Sequence, residues 1–484
     1  MEVLEKQNKK QGALPNSGYN SRFVIGITLV ATLGGLLFGY DTAVISGAIG
    51  SVRTYFGLTA IQMGWAASSA LVGCIIGAFL AGPLSNKFGR RPSLIIGAIL
   101  FLVSAIGSAL PEQFTVFIIY RIIGGAGVGI ASMLSPMYIA EIAPAPIRGR
   151  LVSFNQFAIV FGIMLVYFVN YFIALQGDNS WNIEEGWRWM FGSEAIPALI
   201  FLIFLFFVPE SPRWLALNGA TDRAYQTLKR IIGPSKAKDE LRAIDDSIQI
   251  SKKTRVHLKE ILRPAIIKVL LIGIGLSVLQ QVTGINVFLY YAPEIFKKMG
   301  SGNDAALLQT VVVGVVNMAF TVVAILTVDK FGRKPLMVWG SLGMGICILA
   351  IGFAAYFQNT EVWLLLFILG YIAFFALSLG PVTWVLLSEI FPNRVRGITL
   401  SIAVAAQWIS NFVVSQTFPM MMENESLLAK FNGAFPFWVY GVMCVVSVFF
   451  NKYLVPETKN KSLEEMEALW EEKKLKNESQ NVPT

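Results

Sequence analysis

Charge is scarce in this chain. Only 14% of its 484 residues are Asp, Glu, Lys or Arg and 55% are hydrophobic, with a mean hydropathy of +0.61. A soluble domain carries about 25% charged residues, so a soluble globular protein is excluded. Cysteine is almost as rare: Cys74, Cys347 and Cys444 each fall inside an apolar run, which excludes a disulfide framework and makes them packing residues. The single histidine, His257, has no partner for metal binding or nucleophilic catalysis and reads as a surface residue. The first 21 residues lack a hydrophobic core, so no cleavable signal peptide is expected. The net charge of +9 does not indicate nucleic acid, because the basic residues stand at the ends of apolar segments, where membrane topology places them. The glycine run Gly124 to Gly129 sits in an apolar helix with no preceding strand, which favours close helix packing over a dinucleotide loop. No enzyme motif is present and no cofactor is expected.

What the chain has instead is apolar sequence, recurring from Arg22 to about Tyr453. A transmembrane helix needs roughly 20 mostly apolar residues, and twelve segments qualify: 22–49, 62–82, 93–110, 114–140, 150–174, 189–208, 264–297, 306–328, 336–356, 362–390, 398–421 and 433–452. The spacing predicts an all-α membrane protein. With the N-terminus inside, 33 of the 39 Lys and Arg fall on the inner side and five outside (Arg53, Arg188, Lys297, Lys298, Lys430). Both termini are therefore expected to be cytoplasmic.

Three motifs occur twice. Phe88 and Phe331 in the FGR motifs are 243 residues apart, Glu141 and Glu389 are 248 apart, and Glu210 and Glu457 are 247 apart. A near-constant offset of half the chain is the mark of a parallel repeat with a binding site between its halves. The expected organisation is an N-terminal tail (1–21), a six-helix bundle (22–208), a linker (209–263), a second six-helix bundle (264–452) and a C-terminal tail (453–484). Helical apolar spacing over 220–232 and 239–250 predicts short amphipathic helices in the linker.

Asp41 is the only charged residue between Arg22 and Arg53. It lies eight residues before Ile49, and Arg121 lies eight residues after Gln113, which puts both roughly 12 Å below the outer surface at about 1.5 Å per residue. An acid and a base at one depth are expected to pair, and a carboxyl so placed could take a proton outside and release it inside. The other spans hold neutral polar residues and tryptophans: Gln156, Gln280, Gln281, Asn286, Tyr290, Asn317, Trp384, Gln407 and Trp408. Amides both donate and accept, which suits sugar or polyol hydroxyls, while aromatic faces cover the C–H side of a ring. Phe38, one turn before Asp41, is a candidate wall of the same cavity. Gln280 and Asn286 cannot share a face of an ideal helix, so span 7 is expected to unwind at Thr283-Gly284, and Gly380-Pro381 predicts a similar break in span 10.

At these motifs the chain resembles the sugar porters of the major facilitator superfamily. The resemblance rests on FGRRP, YIAEIAPAPIRGR, PESPRWL, QQVTGINVFLYYAP, DKFGRKP, GPVTWVLLSEIFPNRVRG and PETKNKSLEE, and covers about residues 20 to 470. ITLVATLGGLLFGYDTAVISG and SFNQFAIVFG are most similar to its bacterial D-xylose/proton symporters. The resemblance implies alternating access, with the proton as coupling ion at Asp41 and Arg121. It implies sugar contacts at Gln156, Gln280, Gln281, Asn286, Trp384 and Gln407, and an outer gate at Tyr290. It also implies a cytoplasmic charge network that locks the outward-facing state, made of Arg90, Glu141, Arg148, Glu210 and Arg213 with Arg333, Glu389, Arg396 and Glu457. One departure concerns cargo: Ile163 stands where the xylose symporter has a second glutamine, as in glucose facilitators.

The expectation is proton-coupled uptake of a monosaccharide, D-xylose first, by a monomer in the plasma (inner) membrane. The alternatives are a proton-coupled or facilitative transporter of a hexose or polyol, and a non-transporting sugar sensor.

Overall fold

The computed structural model describes residues 19–253, 263–358, 363–392 and 395–459, with 461 and 465. His257, most of both tails and the end of the linker lie outside the described residues. Twelve helices among those described are long and apolar enough to cross a membrane. They are α1 (Ser21–Phe56), α2 (Ala60–Phe88), α3 (Arg90–Ala109), α4 (Phe114–Ile142), α5 (Arg148–Ala174) and α6 (Asn179–Leu205). The second set is α7 in two pieces, α7a (Pro264–Val282) and α7b (Ile285–Tyr290), α8 (Asn303–Phe331), α9 (Arg333–Tyr356), α10a (Trp363–Leu377) with α10b (Leu379–Ile390), α11 (Arg396–Met422) and α12 (Phe435–Tyr453). This is a twelve-span all-α membrane protein.

Local chemistry sets the helix ends. Gly57 closes α1 in the left-handed region (φ 63°), and Thr59 opens α2 with a capping box to Gln62. Inside the first six helices glycine permits close crossings: a Cβ on Gly125 of α4 would stand 1.8 Å from the carbonyl oxygen of Ala70 on α2. The glycine run of α4 is thus a packing surface.

Two helices break at membrane depth. In α7 the break falls at Thr283-Gly284, with Gly284 at φ 95°, and a second interruption at Tyr291 leads into Ala292–Lys298. In α10 the break lies at Ser378 (φ −131°, ψ −94°), two residues before the expected Gly380-Pro381. The cause is Pro381 acting backwards: a proline collides with the carbonyl four residues earlier, here Leu377, so the chain must leave helical geometry before the proline.

The linker carries the two expected helices: after Pro212–Leu217, the run Thr221–Lys253 is divided into two helices at the non-helical Gly233 (φ 81°), so that the second starts earlier than residue 239. The linker is fastened to the first six helices: Asn20 N–H donates to Ile231 O at 2.7 Å, Trp214 Nε1 donates to Asn86 O at 3.1 Å, and the Arg230 guanidinium lies 4.4 Å from the Phe23 ring. The end of the bundle beside it is called the linker face below, and the opposite end the far face.

The two six-helix halves touch through α2 with α11, α5 with α8 and α1 with α7b. Their polar ties lie toward the far face. Arg53 forms a two-pronged ion pair with Glu423 at 2.5 and 2.9 Å, Ser68 donates to Gln416, Gln416 donates to Ile61 O, and Tyr167 OH donates to Leu289 O at 2.7 Å. At the linker face the charged motifs bind within their own half: Arg90 to Glu141 and Arg333 to Glu389.

Candidate functional site

α1 and α4 bring Asp41 and Arg121 together. Arg121 Nη1 donates to Asp41 Oδ1 at 2.6 Å and Nη2 to the Asp41 carbonyl at 3.1 Å, with side-chain exposures of 1% and 0%. Burying both charges is costly unless they are paired, and a second acid joins them. Glu194 of α6 is 1% exposed and lies within hydrogen-bonding reach of the Asp41 carboxyl. As bare carboxylates Asp41 Oδ2 and Glu194 Oε1 have no partner, so a single proton between the two acids would satisfy both. The Phe191 ring, 5.3 Å from Arg121, covers its guanidinium. Sequence reasoning passed over Glu194, although an acid within the apolar run 189–208 is the same signal that Asp41 gives.

The second half carries no such cluster among the described residues; it carries amides. Asn286 Nδ2 donates to Gln281 Oε1, Gln281 Nε2 to Gln280 Oε1 at 3.2 Å, and Gln280 Nε2 to Leu379 O at 2.7 Å and Gly380 O at 3.1 Å. The broken helices make this possible. Unwinding at Gly284 turns Asn286 back toward Gln281, and the start of α10b exposes the two carbonyls. Tyr371 OH caps the freed Thr283 O at 2.8 Å.

Aromatic residues line the junction. Phe38 of α1 and Trp408 of α11 are 5.6 Å apart between ring centroids, and Trp384 packs in the same cluster. Gln407 is buried with Oε1 unpartnered, as is Trp408 Nε1. Tyr290 of α7b lies within electrostatic range of Asp41 and Arg121 and receives a 3.4 Å hydrogen bond from Asn411, a residue sequence reasoning missed. Gln156 is half-buried, and neither its side chain nor that of the buried Asn317 forms a hydrogen bond among the described residues. Ile163 is 8% exposed in an apolar cluster.

The linker-face residues form two copies of one arrangement. Arg90 Nε and Nη2 grip Glu141, which also accepts from Ser211, while Glu210 accepts from the backbone N–H groups of Arg90, Arg91 and Ser211. Arg333 donates to Glu389, which also accepts from Thr458, while Glu457 accepts from the N–H groups of Arg333, Lys334 and Lys459. Glu210 and Glu457 thus act as helix N-terminal caps. Burial pushes the Glu210 carboxyl above its usual range, against the pull of those amides. Arg148 and Arg396 each donate to a carbonyl five residues back, Ala143 O and Phe391 O, and Arg213 reaches Ser247 of the linker.

Residues 27–470 match the family described as sugar (and other) transporter. The chain is 54% identical to the D-xylose-proton symporter of Escherichia coli over 94% of its length and 97% of the relative's. It is 44% identical to the arabinose-proton symporter of Bacillus subtilis, covering 93% and 95%. Its fold matches the inward open conformation of the xylose transporter from E. coli with a TM-score of 0.81 and 51% identity, over 93% of this chain and all of that one.

Proposed function

The chain belongs to the sugar transporter family, and from that premise and the two chemistries of its site we propose that it couples uptake of a monosaccharide, D-xylose first, to entry of a proton. The observation that carries this reading is the buried cluster of Asp41, Arg121 and Glu194, two acids against one base at 0–1% exposure. With one proton the cluster is neutral; without it a net negative charge is left in a low-dielectric interior. Asp41 and Glu194 share the proton, and Arg121 offsets the charge that remains on the pair. The cargo is bound from the second half by Gln280, Gln281, Asn286 and Gln407, with Trp384, Trp408 and Phe38 against the ring and Gln156 reaching from α5. Tyr290, tied to Asn411 and close to the charge cluster, is the gate through which the proton state of the first half reaches α7b.

The linker face is cytoplasmic in this reading, supported by the distribution of Lys and Arg, and the far face is external. The Arg53–Glu423 and Tyr167–Leu289 ties then close the external side, and the conformation is inward-facing. In the outward-facing state these ties part. The linker-face acids and arginines, held here within each half, turn across the halves. The monomer is the working unit.

The test is transport by purified protein in liposomes under an imposed pH gradient, acid outside. Accumulation of D-xylose above equilibrium supports the reading, and equilibration alone replaces it with facilitated diffusion. A second reading of the cargo follows from Ile163, which offers no hydrogen bond to the sugar: hexose competes with xylose in the same assay.

A further inference from the structure

Thr383 of α10b departs from a pattern that four other buried helical threonines share. Thr28, Thr42, Thr310 and Thr399 each return their hydroxyl to the carbonyl four residues back, at 2.8–3.1 Å. Thr383 is 0% exposed, and its Oγ1 has no partner. The carbonyls that a helical Thr383 would use, four and three residues back, are Leu379 O and Gly380 O, and both accept from the side-chain amide of Gln280. The Leu379 carbonyl also receives the Thr383 backbone N–H, as in any helix, so its capacity of two is filled.

We infer that Thr383 is a positioning residue for sugar binding, whose hydroxyl exchanges with the Gln280 amide at the Leu379 and Gly380 carbonyls. The inference rests on the proposal that Gln280 binds the cargo. In the sugar-free state the amide holds the carbonyls and the hydroxyl is idle. When Gln280 turns to a sugar hydroxyl, each carbonyl would keep only its helical N–H and lose its second donor in a buried site. Thr383 needs only a rotation about its χ1 bond to donate to Leu379 O. The exchange keeps the start of α10b satisfied and lowers the cost of releasing Gln280.

The test combines sugar binding with a thermal-stability cycle that needs no sugar. Thr383→Val keeps the shape and removes the donor; Thr383→Ser keeps the donor. Thr383→Val is expected to leave the sugar-free melting temperature unchanged or to raise it, since the buried hydroxyl has no partner there. In a Gln280→Ala background, where the hydroxyl has taken over the carbonyls, the same change is expected to lower it by on the order of 2 °C. D-xylose binding to Thr383→Val is expected to weaken about fivefold, the equivalent of one neutral hydrogen bond, with Thr383→Ser binding as the parent does. An equal melting shift in both backgrounds overturns the exchange, and so does parental xylose affinity in Thr383→Val. A parent protein that binds no sugar overturns the transport reading instead, and the stability cycle still decides the exchange.

Discussion

In the first half Arg90 takes Glu141 while Glu210 caps the amides of Arg90 and Arg91; in the second, Arg333 takes Glu389 while Glu457 caps Arg333 and Lys334. At the linker face the two halves are copies. At membrane depth they are not: Asp41, Arg121 and Glu194 belong to the first half, and the Gln280–Gln281–Asn286 chain belongs to the second. The repeat kept the linker-face charge pairs and diverged at membrane depth. In the proposed function the proton cluster lies in the first half and most of the sugar contacts in the second, so coupling runs through the contacts where the halves meet, chiefly Tyr290 and the Phe38–Trp408 pair.

The division can be broken from either side. The largest expected effect is from Asp41→Asn, which removes the ionisable group paired with Arg121. Accumulation driven by a pH gradient should be lost while sugar binding is kept, measured by uptake and by direct binding on the same preparation. Glu194→Gln should lower accumulation several-fold and leave exchange of labelled for unlabelled sugar intact, because the Asp41–Arg121 pair survives. Unchanged accumulation would remove Glu194 from the proton path.

Gln280→Ala acts on the other bundle. It should weaken sugar binding about tenfold, from the loss of one donor and one acceptor, with the proton-to-sugar ratio unchanged. Loss of coupling at retained affinity would sink the separation of the two chemistries. Arg53→Ala tests the far-face closure. The pair is partly exposed, 36% and 26% for the two side chains, so about 1 kcal/mol at most is expected. The outcome is a several-fold rise in labelling of a cysteine placed on the far-face side of Tyr290, reproduced in the parent protein by high salt. Smallest of all, Ile163→Gln should move the preference from hexose toward xylose by about 1 kcal/mol, read as a ratio of competition constants.

Much of the fold was legible before any coordinates. Helix-length apolar runs, the FGR, Glu-Ile and Pro-Glu motifs at near-constant offset, and the unwinding forced by Gln280 and Asn286 are local or periodic signals, and local signals survive reading one residue at a time. The Asp41–Arg121 pairing was legible for a related reason: helix rise converts sequence distance into depth. The misplacement of the α10 break is instructive, because Pro381 was seen but its steric effect reaches four residues back.

The composition and spacing of this chain by themselves determined that it crosses a membrane twelve times, that it is built as a repeat, and which polar side chains are available at depth. Only the tertiary structure decided how those side chains are shared. Glu194 became a partner of Asp41 through packing of α6 on α1, Arg53 found Glu423 across 370 residues of sequence, and the Gln280 amide displaced the Thr383 hydroxyl from its own helix. The physical reason is that a hydrogen-bond partner is chosen by distance and competition in space. Sequence sets the inventory of donors and acceptors, and long-range packing sets which of them meet.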